Sequence, residues 1–173
     1  MEQKNTSLLQ SALVNGLILA LGVIIYSVLI YIMDLTTSQI AGYISYLVIA
    51  GLLVFGIKSY RDNVLGGTIS YGRSLGFGML MLLFGGILYA VYTYIMFKFI
   101  DPGLMDKTMA VAEEKMLERG LSDEQIEMAL EMSRKWTSPG MTAIGAFIGT
   151  VVWGFILSLI VSIFMKKEAA PAE

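Results

Sequence analysis

The sequence predicts an all-α membrane protein: four transmembrane helices with an extramembrane helical hairpin between spans three and four. Three observations predict it. The 173 residues are 56% hydrophobic and only 15% charged, against roughly 25% charged in a soluble domain, and mean hydropathy is +0.71. Four segments, 5–33, 35–57, 74–97 and 136–165, carry no Asp, Glu, Lys or Arg. Each exceeds the ~20 residues with which a helix crosses ~30 Å of hydrocarbon. The charges collect instead between them, above all in residues 106–135. In lipid the backbone must satisfy its own hydrogen bonds, so long unbroken apolar runs read as helices. Barrel strands would be shorter and alternating.

The first span is placed at about 8–33. Its run is far longer than the 7–15-residue core of a signal peptide, so it is read as a retained span. Asp34 to Gln39 forms a polar turn, and span two covers about 40–57. Tyr26 and Tyr31 precede this turn, and Tyr43 and Tyr46 follow it. Rings at headgroup depth form an interfacial belt, the expected role here; an aromatic ligand site is the alternative. Span three covers about 74–97 and ends in another aromatic cluster, Tyr89, Tyr92 and Tyr94. Asp101-Pro102-Gly103 stops it, because proline lacks the N–H that continuation requires.

The insert covers about 101–140 and reads as two helices broken at Gly120. Met105, Met109, Ala112 and Met116 form a narrow stripe on the first. Ser122 and Gln125 have the spacing of a capping box for the second, with Asp123 and Glu124 in its first turn as the helix dipole prefers. At 100° per residue, Ile126, Met128, Ala129, Leu130, Met132, Ser133 and Trp136 share one broad arc. That arc must cover its neighbour helix, the membrane surface or a partner. Glu113, Glu114 and Glu118 lack the spacing of a Ca²⁺ loop and read as a solvated face. Span four covers about 141–165, after Ser138-Pro139-Gly140.

Basic residues place the ends. The turn after span one has no Lys or Arg, whereas loop two–three carries Lys58, Arg61 and Arg73, and the tails carry Lys4, Lys166 and Lys167. Short basic loops stay cytoplasmic. Both termini are therefore expected inside and the insert outside. Arg61, Asp62 and Arg73 are expected to pair with one another or with headgroup phosphate, with Tyr71 at the interface.

Composition removes several chemistries. There is no Cys and no His, so disulfides, thiol nucleophiles and imidazole bases are absent. A net charge of −2 argues against nucleic acid, which needs a basic face. No charge falls inside a span, where ion-coupled transport would place one. Asn15, Ser27, Ser45, Thr93, Thr150, Ser158 and Ser162 are the polar residues within spans, and they read as helix packing and backbone bonding. Gly72-x-x-x-Gly76 and Gly145-x-x-x-Gly149 have the spacing that lets helices approach closely, and Gly85-Gly86 and Gly154 extend the pattern; the approach is expected within the bundle or, through span four, between two copies.

The stretch 67–78, Gly67-Thr-Ile-Ser-Tyr71-Gly72-Arg73-Ser-Leu-Gly76-Phe-Gly, follows Tyr60-Arg61-Asp62. Together they resemble the signature of the bacterial family called domain of unknown function 4199. The resemblance extends to length, four spans, the Ile100-Asp101-Pro102 stop, Ser138-Pro139-Gly140 and a last span ending in Lys-Lys. It implies a diderm bacterium, mostly Bacteroidota, and its inner membrane. It implies no activity, cofactor or catalytic residue. The expectation is a single integral membrane domain, non-enzymatic, without cofactor or metal, whose hairpin engages a membrane or periplasmic partner or another copy. A channel formed by an oligomer is the alternative, and a subunit acting on lipid headgroups through Arg61, Asp62 and Arg73 is a third.

Overall fold

A computed structural model describes residues 8–167; the tails, with Lys4, and the side chains of Lys135 and Trp136 lie outside the described residues. The helices are α1 (Leu8–Ile32), α2 (Gln39–Asn63), α3 (Tyr71–Ile95), α4 (Leu104–Glu118), α5 (Asp123–Trp136) and α6 (Pro139–Met165). A π-helical turn, Met96–Ile100, extends α3. Four of these elements are long and apolar enough to cross a membrane: Leu8–Ile32, Gln39–Asn63, Tyr71–Ile100 and Pro139–Met165. At 1.5 Å per residue, 25 residues reach ~37 Å, beyond the ~30 Å of hydrocarbon.

The helices outrun the apolar segments. α2 continues past Ile57 through Lys58 and Arg61 to Asn63, and α3 begins at Tyr71. A helix that satisfies its own backbone has no reason to stop where lipid ends. The stop comes from Gly66 and Gly67, whose φ angles of 70° and 96° are costly for any residue with a Cβ. Ser70 then caps α3 by accepting from the Arg73 amide at 3.4 Å. The loop is fastened to the chain's far end: Ile69 and Lys167 exchange backbone bonds of 2.8 and 2.9 Å, and Arg61 Nη1 donates to the Met165 carbonyl at 3.4 Å.

α3 is the central helix, packed most extensively on α6 and α1. Fully buried Leu19, Leu53, Ile57, Tyr60, Phe77, Met81 and Leu82 form the core. Helices this apolar gain little from burial against lipid, so close approach through small residues does the packing. The glycines that do it are not the spaced pairs. A Cβ on Gly85 would meet Leu19 Cδ2 at 2.8 Å and the Gly16 carbonyl oxygen at 3.0 Å. Gly56 lies against Met81, Gly78 against Ser158 and Gly154 against Leu82. Around Gly72, Gly76, Gly145 and Gly149 a Cβ would meet nothing within 4 Å. Within the bundle, the expected close approach at Gly72 and Gly76 is not made: Gly76 lies two residues, about 200° of helix, from both core-facing Ser74 and Gly78.

The hairpin breaks at Gly120, at φ 75°, and the capping box forms, with Gln125 N to Ser122 Oγ at 3.4 Å and Ser122 N to Gln125 Oε1 at 3.1 Å. The broad arc of α5 divides. Ile126 is buried and Leu130 half-buried, while Met128 and Met132 are 66% and 67% exposed. One neighbouring helix covers only one edge of so wide an arc. The Trp136 side chain, expected on the same arc, lies outside the described residues.

Candidate functional site

At the hairpin end the bundle encloses a crevice of about 620 Å³, within the 300–1,000 Å³ of ordinary ligand pockets. α1 contributes Val23 to Tyr31, α2 contributes Ala41 to Ile49, α3 and its π turn contribute Tyr89 to Phe97, and α6 contributes Thr142 to Trp153. Leu104 and Thr108 of α4 overhang it. Val23 and Ile49 are its deepest residues on α1 and α2 and are themselves buried. From Val23 to Tyr31 the crevice is about 12 Å deep at 1.5 Å per residue. Below lies the closed core of Leu19, Leu53, Leu82, Phe77 and Tyr60.

Tyrosines from the ends of the spans line this crevice. Tyr26 Oη donates to the Ala41 carbonyl at 2.6 Å, tying α1 to α2. Ser27 Oγ and Tyr89 Oη are 3.3 Å apart, tying α1 to α3. Tyr31 Oη donates to Asp101 Oδ2 at 3.2 Å, and Lys107 pairs with Asp34 at 3.3 Å; these two contacts hold the start of α4 over the mouth. Tyr89 and Tyr92 stack with centroids 5.9 Å apart. Tyr46 meets Trp153 at 5.4 Å and 48°, closing the α2–α6 wall with two rings. Tyr43, 68% exposed, is the tyrosine of the first turn that stands as a belt residue would. The inward stripe was present in the sequence. Val23, Tyr26, Ser27, Ile30 and Tyr31 recur at helical spacing, as do Tyr89, Tyr92, Thr93 and Met96.

The polar residues within spans fall into two groups. Asn15 Nδ2 donates to the Ser11 carbonyl at 2.8 Å, Ser45 to Gly42 at 2.6 Å, Thr93 to Tyr89 at 2.9 Å, and Ser74 to Ser162 at 3.1 Å. These are the expected packing and backbone bonds. Thr150 differs. It is only 7% exposed, it lines the crevice, and among the described residues no hydrogen bond engages its hydroxyl. The hydroxyls of Tyr46 and Tyr92, also in the lining, are likewise without one. Among the described residues no Asp, Glu, Lys or Arg lines the crevice.

The residues singled out at the other end lie far from it in the fold. Arg61 forms a two-pronged pair with Asp62, at 2.7 and 3.2 Å. Arg73 joins neither; it donates to Tyr60 Oη at 3.3 Å, with its guanidinium 5.9 Å from the centre of that ring. Tyr60 in turn stacks on Phe77 at 4.1 Å and 5°. Tyr71 is half-buried at the first turn of α3. Gly67 supplies the left-handed turn before it. Met128, Leu130 and Met132 lie on the hairpin, and Gly145 and Gly149 on α6, where Gly149 borders the crevice. Glu113, Glu114 and Glu118 do not converge; among the described residues no group of three or more acidic side chains could hold a metal ion.

No curated protein and no solved structure matches the chain. One family model does, over residues 15–167, under the description "Protein of unknown function (DUF4199)". With nearly the whole of the described bundle inside that match, from Asn15 in α1 to the Lys167 bridge, the chain belongs to the DUF4199 family.

Proposed function

We propose that the protein is a non-enzymatic binding protein of the bacterial inner membrane, and that the crevice at the hairpin end is its ligand site, facing the periplasm. The observation that carries this is the crevice itself: open at one end, closed at the other, and lined by hydroxyls and aromatic rings. Among the described residues its lining offers no carboxylate or amine to serve as acid or base, which favours binding over catalysis. The orientation follows from the basic residues Lys58, Arg61, Arg73, Lys166 and Lys167, all at the end away from the hairpin, and short basic loops stay cytoplasmic. The closed core below Val23 and Ile49 lends no support to a channel.

Single cysteines test both parts, and the absence of native cysteine makes the assay clean. In cells with a permeabilised outer membrane, a membrane-impermeant maleimide should label Ser122→Cys and Ala146→Cys, and spare Thr68→Cys and Ser158→Cys. Labelling of Thr68→Cys instead of Ser122→Cys would invert the topology. Labelling of Ser122→Cys with none at Ala146→Cys would close the crevice.

A second reading is favoured by the open edge of α5. Met128 and Met132 stand exposed, and methionine-rich faces adapt readily to protein partners. Here the hairpin engages a partner or another copy of the chain. Replacing both methionines by serine should then leave insertion intact and remove a dimer or complex seen by mass in nanodiscs. An unchanged mass distribution would count against it.

A further inference from the structure

We infer that the crevice takes an uncharged, membrane-dissolved amphiphile whose head carries carbonyl oxygens, and that this ligand enters from the bilayer between α2 and α6. This rests on the reading of the crevice as the ligand site and names what fills it. Four observations converge.

Charge comes first. With no ionised side chain among the described residues of the lining, a phosphate or carboxylate head would leave water without a counter-ion there, and that desolvation is unfavourable. Anionic phospholipids and fatty acids are thereby disfavoured, although the membrane is full of them.

Hydrogen bonding comes second. Buried hydroxyls are normally paired, and Ser74, Ser162 and Thr93 in this bundle are. Thr150 is 7% exposed as a residue, and its hydroxyl oxygen, which is not among the fully buried unpaired atoms, lines the crevice without a hydrogen bond among the described residues. Tyr46 and Tyr92 add two more hydroxyls without one. Each can donate as well as accept, and a ligand with carbonyl acceptors takes up the three O–H donors without bringing charge. Ser158, the buried hydroxyl without a partner elsewhere in the core, lies against Gly78 and outside the lining.

Shape comes third. The stacked pair Tyr89–Tyr92 and the tilted pair Tyr46–Trp153 present ring faces and edges on opposite walls. Flat rings stack on such surfaces, offset or edge to face. Access comes last. On the α2–α6 side the rings of Tyr46 and Trp153 meet across the seam, and Trp153 is 51% exposed. Gly42 and Gly149 flank that seam, and a Cβ on either would meet nothing within 4 Å. Rotation of the two side chains opens the crevice to lipid without moving a helix.

Carbonyl-bearing neutral amphiphiles come from two sources, lipid quinones and glycerides. The full chain in nanodiscs, carrying Ala146→Cys, distinguishes them. Labelling by the impermeant maleimide is timed with a decyl-benzoquinone whose ring positions are all substituted, so that the thiol has no free position to add to, with monodecanoylglycerol, and with decanoate at matched concentration. At least one neutral probe should slow labelling tenfold or more, and decanoate should leave the rate unchanged. Protection by the quinone alone assigns the ring faces to ligand stacking; protection by the glyceride alone assigns the head to hydroxyl–carbonyl contacts. Adding Thr150→Val, of nearly the same shape, should raise the concentration needed for protection roughly three- to tenfold, the range of one hydrogen bond.

Equal protection by decanoate, or protection by neither neutral probe, overturns the inferred ligand class. In the second case brisk labelling of unprotected Ala146→Cys still leaves the crevice open, so failure of the ligand class is separate from failure of the site. An unchanged requirement in Thr150→Val overturns the contact assigned to that hydroxyl.

Discussion

Gly85→Leu should abolish recovery of folded protein. Gly85 marks the point where α3 and α1 cross backbone to backbone. A single Cβ there would stand 3.0 Å from the Gly16 carbonyl oxygen and 2.8 Å from Leu19 Cδ2. From the other side, a Cβ on Gly16 would meet Phe84 Cβ at 2.9 Å and the Met81 carbonyl oxygen at 3.0 Å. Side chains yield to an added group by changing rotamer; a carbonyl oxygen of a helix does not. Insertion of extra carbons into a packed core costs about 1–3 kcal/mol and sometimes more. A full leucine, with helix backbone as the obstacle, exceeds that range. The measurement is the monodisperse fraction on size exclusion in detergent, with thermal melting of what survives. Gly145→Leu is the matched comparison, because nothing lies within 4 Å of a Cβ there; its monomer should melt with the parent.

Ala146→Trp should leave the fold intact and remove ligand binding. Ala146 borders the crevice and is only half-buried, so an indole grows into empty volume instead of into neighbours. It would occupy the space between Tyr92 on α3 and the Tyr46–Trp153 wall, where the ligand head is assigned. Loss of a well-packed site of this size should exceed tenfold in affinity. The melting temperature should hold or rise, since filling a cavity adds contacts.

Much of the architecture was legible, for a simple physical reason. Asp, Glu, Lys and Arg cannot sit in hydrocarbon cheaply, so their absence over 5–33, 35–57, 74–97 and 136–165 marks the spans. Helix ends outside lipid obey local rules, and Ser122 with Gln125 capped α5 as its spacing required. The faces of the spans were harder to read. Around α1 or α6 nearly every side is apolar, so hydropathy does not separate the side that meets lipid from the side that meets protein. Spacing of glycines alone therefore pointed to Gly72, Gly76, Gly145 and Gly149. Within the bundle, contact falls on Gly85 and Gly154, which extended that pattern, and on Gly16, which lay outside it; the partners are set by how three helices cross. The tyrosines carry the same lesson. An amphipathic ring at a span's end suits both a membrane belt and a pocket wall. Tyr26 is distinguished from Tyr43 by the Ala41 carbonyl that its hydroxyl reaches, and that carbonyl belongs to another helix. At the basic end, Arg61 found Asp62 beside it in sequence, whereas the partner of Arg73, Tyr60, sits a helix turn and a loop away.

The central claim is that the crevice above Val23 and Ile49 holds a neutral ligand. It is tested most directly by extracting protein purified from its native membranes with organic solvent and identifying what is released by mass spectrometry. Wild type and Ala146→Trp are compared side by side. The prediction is one uncharged, carbonyl-bearing amphiphile released from wild type at close to one per chain and depleted at least tenfold in Ala146→Trp. The same lipids in the same amounts from both proteins would contradict it.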